Sequence, residues 1–362
     1  VRHPRRIRAP LQLVKRALRR WQPGLASLIE AGQYRTRDIA GEITAANRAG
    51  LLAGDGYDLI FAHDIPVLPL ALELRDAWQC GVVCDLHELF AEQTAWILSE
   101  TGRRYWRSVE ARLRSVDGIL AVNQGVADYV EERYSPAAPV VVVHNSLPYL
   151  PADVVRNGPK LTDFFGIPPD ARTMVWAGTL RAQTNLETLV RGFGMARLDG
   201  WVLAIVGDGP LRERLDRLVA DEHLQETVFL GRRAAQDDLV PLAASAHVGL
   251  LPYLPESYNL RIATPNKLFE YFQARIPIAT TDLPEIARIV SQTRSARFVD
   301  FSSPESTAAG LRRFVEDDLR EITEEQLEDA ARRFSWERDE ERLMSIVEHV
   351  SGRRPVVRGE TS

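Results

Sequence analysis

Short runs of aliphatic and β-branched residues alternate along this chain with longer stretches in which apolar positions recur every three or four residues. The first kind suits a strand buried on both faces and the second an amphipathic helix, so the alternation predicts βα units around parallel sheets. Strand-like runs fall at 58–63, 81–85, 118–122 and 140–144, and again at 174–177, 202–206, 228–230, 248–251, 276–280 and 297–299. Between the two series Pro148, Pro151, Gly158, Pro159 and Gly166 interrupt both periodicities. Proline removes a backbone donor and glycine loosens the chain, so this stretch reads as a linker between two sheets. The expected layout is an α/β chain with one Rossmann-like domain over 1–150, a second over 151–335, a helix over 336–350 and a solvated tail over 351–362. The helix rests on FSWERDEERLMSIVEHV, whose apolar residues keep helical spacing.

Length and composition narrow what such a chain does. Its 362 residues exceed one ordinary core, and 45% hydrophobic with 26% charged residues describes a packed globular protein. A net charge of -5 supplies no overall basic field, so nucleic acid is not an expected partner. Two cysteines, Cys80 and Cys84, build neither a disulfide framework nor a four-thiolate zinc site, and a reducing, cytoplasmic setting is the expectation. No apolar run is long enough to span a membrane, and no signal-peptide core follows the basic start. That start is itself distinctive: Arg2, Arg5, Arg6, Arg8, Lys15, Arg16, Arg19 and Arg20 interleave with Leu11, Val14, Leu18 and Trp21 at helical spacing. A helix over 2–21 lying on an anionic membrane surface fits this pattern, and so does a solvated helix packing one stripe on its own domain.

Candidate chemistry sits where strands turn into helices. The dinucleotide fingerprint G-x-G-x-x-G is missing, as is a P-loop, which disfavours hydride transfer and nucleoside-triphosphate hydrolysis. Two junctions, Trp176-Ala-Gly-Thr-Leu-Arg181 and Ile205-Val-Gly-Asp-Gly-Pro210, offer Gly178, Thr179, Gly207 and Gly209 beside helix N-termini, where backbone amides can approach a diphosphate or simply make a tight turn. A third, Ala263-Thr-Pro-Asn-Lys-Leu-Phe-Glu-Tyr271, predicts a helix with Pro265 in its first turn and Thr264 as its cap. Lys267, one of only three lysines in a chain with 45 Lys and Arg residues, stands beside the free amides of that helix. Glu270 follows one turn later, where a carboxylate can accept hydrogen bonds from two adjacent ribose hydroxyls. His87 and His63 close first-half strands, the ends at which open α/β sheets bind ligands, while His144 and His247 read as structural. No Asp-x-Asp pair follows a strand to hold a divalent ion on a diphosphate, so no metal and no cofactor is expected.

VWAGTL, NLETLV, AIVGDGPLRERL, VFLGR, HVGLLPY and ATPNKLFEYFQARIPIATTDLPEI occur in one order in the second half, after YDLIFAHD, VVCDLHELFAEQ, VDGILAVNQGVADYV and VVVVHNS in the first. In these segments the chain resembles the family 4 glycosyltransferases, also called glycosyltransferases group 1, and the PNKLFEY segment is the most specific match. The resemblance implies the GT-B fold, two Rossmann-like domains facing across a cleft, and transfer with retention of configuration from a nucleotide-diphosphate sugar, UDP- or GDP-linked, to a saccharide, lipid-linked or small-molecule acceptor. It implies donor contacts from Gly178, Thr179, Gly207, Gly209, Arg232, Asn259, Pro265, Asn266 and Leu268, with the amides of Lys267 and Leu268 facing the diphosphate. Glu270 matches the second glutamate of the family's Glu-x7-Glu motif, which binds the donor ribose. His87, Arg181 and Lys267 are the implied catalytic groups.

Three features depart from the family pattern. Ile262 stands where the first glutamate belongs, with Asn259 or Tyr258 left to supply polar contacts. Thr179 and Thr184 replace an Arg and a Lys on the leaving phosphates, leaving Arg181 as the nearest cation. Only 56 residues precede YDLIF, so the first βαβ unit is expected to be missing. A nucleotide-sugar epimerase and a non-catalytic nucleotide-sugar binder are the rival readings.

Overall fold

A computed structural model describes residues 50–52, 56–93 and 99–352. The first sheet holds β1 (Leu59–His63), β2 (Gly81–Leu86), β3 (Gly118–Ala121) and β4 (Val140–Val142), parallel and in sequential order. The second holds β5 (Arg172–Ala177), β6 (Trp201–Val206), β7 (Val228–Gly231), β8 (Val248–Leu251), β9 (Ile278–Thr280) and β10 (Ala296–Phe298) in the order β10-β9-β8-β5-β6-β7. Every expected strand is present, with ends shifted by no more than two residues. Strand order in the second sheet reverses between β5 and β8, which is the doubly wound pattern whose ligands lie beyond the strands' carboxyl ends at the reversal.

Alternate residues of the central strands feed two cores. Val175 and Ala177 of β5 join one with Phe269, Phe272 and Ile286, while Met174 and Trp176 join the other with Leu189, Leu203 and Leu311. This two-sided burial is why β5, β6 and β8 read as unbroken apolar runs.

The first sheet is covered on one face by its own helices and on the other by the helix Trp336–Gly352. Ile346 and Val350 of that helix pack on Val83 and Leu120. A Cβ at Gly118 would come within 2.8 Å of Ile346, and one at Gly81 within 2.5 Å of Val350, so the two glycines form the floor on which the helix lies. The chain therefore crosses from first sheet to second and back. The crossings touch where the Trp336 amide donates to the Leu147 carbonyl at 2.8 Å. Asp339, buried at 1% exposure, pins the return: Ser146 Oγ donates to Oδ2, Arg342 to Oδ1 at 2.9 Å, and His144 Nδ1 lies 3.2 Å from Oδ1. His247 Nδ1 accepts the Thr173 amide at 3.0 Å, a structural use like that of His144.

Among the described residues no helix is long and apolar enough to cross a membrane. The basic segment 2–21, the tail after 352 and the region that bears on a missing first βαβ unit lie outside the described residues.

Candidate functional site

Around the strand reversal the two glycine-bearing junctions form one double-layered loop. The Gly178 amide donates to Val206 at 2.8 Å, Leu180 to Asp208 at 3.0 Å and Leu211 back to Leu180 at 3.1 Å. Gly178, Gly207 and Gly209 have φ of 154°, 155° and 156°. A Cβ on Gly207 would overlap the Gly178 carbonyl oxygen, and one on Gly209 would sit 2.5 Å from that of Leu180. The glycines at 207 and 209 thus let one backbone lie on another, a turn-packing role. Gly178 differs, because the space its Cβ would fill is taken by the Lys267 ammonium, 2.5 Å away.

Lys267 belongs to the helix Asn266–Ala274, whose cap corrects the sequence reading. Pro265 itself is the N-cap with extended backbone, and no side chain caps the helix. Thr264 is diverted: its Oγ1 lies 3.2 Å from Asn123 Nδ2 of the first domain, which also donates to the Ile262 carbonyl at 2.8 Å. The Leu268 amide, expected to face a diphosphate, donates to the Pro265 carbonyl at 2.9 Å. That leaves the amides of Asn266 and Lys267 as the open ones at this end.

The Lys267 ammonium stands 5.1 Å from the centre of the Trp176 ring and has no ion-pair partner among the described residues. Burial pulls its pKa below the ordinary value; Glu270 opposes this and Arg181 adds to it. Glu270, 9% exposed, is pushed the other way by burial, with Lys267 opposing. Each charge is thus costly in place, and the pair is poised for a ligand that makes new bonds to both. Arg181 is exposed and close enough to act on both Lys267 and Glu88 of the facing domain.

The facing wall is made by the ends of β1 and β2. Register sets His63 beside Asp85, and His87 follows two residues on. Asp85 Oδ2 lies 2.8 Å from His63 Nδ1 and 3.1 Å from His87 Nε2. The bond to Asp85 raises the His87 pKa. Burial pushes Asp85 up, but its bonds to the two imidazoles outweigh this and leave its pKa lowered. Asp64 holds the corner: its amide donates to the Asp85 carbonyl at 2.7 Å, and its Oδ1 accepts the His87 amide at 2.8 Å. It does so at a φ of 65°, a left-handed conformation that costs a non-glycine residue about 1–3 kcal/mol.

Across the cleft Asn145 Nδ2 lies 3.4 Å from both His87 Nδ1 and Asn266 Oδ1. Asn259 is occupied by the other domain, its Oδ1 accepting the Leu89 amide at 2.8 Å. Ile262 is buried in the first domain's core cluster, so the chain has an apolar anchor where its family pattern has an acid. Gly178, Arg181, Asn266, Lys267 and Glu270 therefore meet at one mouth, with Thr179 exposed at its rim and His87 opposite. Arg232 is exposed beyond β7, two strands from β5, with Gly207 and Gly209 in the layer between. Asp64, Asp85, Asn123 and Asn145 were not among the residues singled out from sequence. Only Asp85 left a trace there, as the residue two before His87 on a strand end.

Two facing parallel-sheet domains joined by a helix that returns from the second to the first define the GT-B architecture. Solved structures of that class align over most of the chain: sucrose-phosphate synthase from Thermosynechococcus elongatus has a TM-score of 0.71 at 16% identity, over 89% of this chain and 81% of that one. HepE of Anabaena in complex with UDP-glucose has a TM-score of 0.66 at 15% identity, over 86% and 83%. At such identities the likeness is one of fold. In sequence the chain is 26% identical over 319 residues to D-inositol 3-phosphate glycosyltransferase of Corynebacterium jeikeium (strain K411), covering 82% of this chain and 73% of that protein. The model for Glycosyltransferase Family 4 matches residues 33–148 and that for Glycosyl transferases group 1 matches 171–317. Together they span both sheets, and the chain belongs to the group 1, family 4 glycosyltransferases.

Proposed function

We propose that this glycosyltransferase moves a sugar from a nucleoside-diphosphate donor to a hydroxyl-bearing acceptor with retention of configuration, and that the diphosphate needs no metal ion. The observation that carries this reading is the half-buried Lys267 at the open amides of the helix Asn266–Ala274, with no counter-charge but Glu270 among the described residues. A diphosphate there gains the ammonium, the amides of Asn266 and Lys267, the helix dipole and the Arg181 guanidinium. The same groups stabilise the charge that grows on the leaving nucleoside diphosphate. Glu270, one turn deeper, accepts from the ribose hydroxyls. The leaving phosphate oxygen takes the acceptor proton on the face from which it departs.

A uridine donor is favoured by analogy with HepE, whose complex holds UDP-glucose. The acceptor is a saccharide or a lipid-linked or small polyhydroxy molecule, and residues 2–21 supply peripheral membrane contact where it is lipid-linked. One observation favours a second reading, a nucleotide-sugar binder without transfer: Ile262 leaves the donor sugar short of a carboxylate contact.

The test is thermal shift with a panel of UDP-, GDP- and dTDP-sugars, followed by NMR of the product anomer with the donor that binds. A ligand that binds the native state alone raises Tm. No stabilising donor, or a product of inverted configuration, overturns the proposal. Binding with neither transfer nor hydrolysis selects the second reading.

A further inference from the structure

The first-domain wall carries a constellation that donor binding does not use. From it we infer a site for one imidazole-preferring divalent transition-metal ion of the Zn²⁺ class, held by His63 Nδ1, Asp85 Oδ2 and His87 Nε2. The three atoms all lie within 4.8 Å of one another, with Asp85 Oδ2 at 2.8 and 3.1 Å from the two nitrogens. Ligands about 2.0–2.2 Å from a tetrahedral Zn²⁺ are roughly 3.3–3.5 Å apart, so the set needs to spread by a few tenths of an ångström between Asp85 and each ring. His63 can give that, since its side chain is 68% exposed, while Asp85 at 17% is fixed by its strand.

Two imidazoles with one carboxylate suit Zn²⁺, Co²⁺, Ni²⁺ or Cu²⁺ and not Mg²⁺ or Ca²⁺, which take oxygen ligands at higher coordination. Three protein ligands leave a fourth position for water or another small ligand. The scaffold is stiff. His63 and Asp85 are register partners on adjacent parallel strands, and Asp85 and His87 are two residues apart. The surroundings also orient the ligands, as Asp64 clamps the His87 amide and Asn145 stands at the ring's other nitrogen, Nδ1. With the ion bound, both imidazoles and Asp85 are engaged. The inference concerns binding alone and does not depend on the transfer reading.

The test is a Zn²⁺ titration of the full chain against a chromophoric chelator, with Co²⁺ absorption as a second readout and Mg²⁺ as control, on the parent, His63→Gln and Asp85→Asn. One Zn²⁺ per chain is expected, undisturbed by millimolar Mg²⁺, with affinity lowered at least about tenfold in each variant. Circular dichroism verifies folding, which the exposed His63→Gln change leaves intact. The absence of binding at micromolar Zn²⁺ overturns the site, as does stoichiometric binding unchanged in either variant.

Discussion

Glu270→Gln separates the proposed ribose contact from the fold. The side chain is 9% exposed, and burial already raises its pKa, so a neutral amide of the same size suits the pocket without a donor. Stability should therefore change little. Donor binding should change much, because a hydrogen bond to a charged acceptor contributes about 1.5–3 kcal/mol. At about 1.4 kcal/mol per decade this predicts a ten- to hundredfold fall in donor affinity or in kcat/KM. Loss of the carboxylate also removes the group that, among the described residues, holds Lys267 toward its charged form, which weakens the diphosphate contact in the same direction. Isothermal titration with the best donor of the panel reads the affinity, and urea unfolding reads the stability. A variant that binds and transfers like the parent, while Lys267→Met or Arg181→Ala abolishes both, refutes the ribose assignment and leaves the diphosphate site standing.

Gly207→Ala drives a methyl group into the Gly178 carbonyl and should cost about 3 kcal/mol or more, read as a lower urea midpoint together with lost donor binding. Ile262→Glu restores the family's acid but sets it among the apolar side chains of the first domain, so it should lower stability by several kcal/mol, on the order of the cost of a buried unpaired charge, without tightening donor binding. Asp339 has a lowered pKa: burial pushes it up, but the bonds from His144 and Ser146 outweigh this. Such a carboxylate stabilises the fold above the ordinary carboxyl range and loses that contribution as pH falls through its depressed value. Asp339→Asn should cost about 3 kcal/mol at pH 7 and flatten the acid side of the stability profile, measured by urea unfolding from neutral to acid pH. A chain lacking residues 2–21 should sediment less with anionic vesicles than the full chain, and less so as salt rises.

The architecture was legible because it rests on local pattern. Strands covered on both faces are continuous apolar runs, and β8 reads from VGLL alone. The closeness of Lys267 and Glu270 was legible because one helix carries both. What stayed hidden depends on pieces of chain far apart in sequence. Thr264 looks like a cap until Asn123, 141 residues away, claims its hydroxyl. Gly207 and Gly209 look like phosphate loops until the second loop is laid over the first. The pairing of His63 with Asp85 follows from strand register, which neither strand encodes by itself.

The helix Trp336–Gly352 has a consequence for how the chain comes into being. One face of the first sheet, with Val83 and Leu120, is closed by Ile346 and Val350, which a ribosome delivers only after the whole second domain. Throughout synthesis of that domain the nascent first sheet carries an unclosed apolar face, the kind of surface that chaperones hold and that neighbouring chains stick to. The two domains are thus unequal in time: the second can finish once the chain reaches Phe334, the last residue of its cores, whereas the first, begun earlier, is completed last.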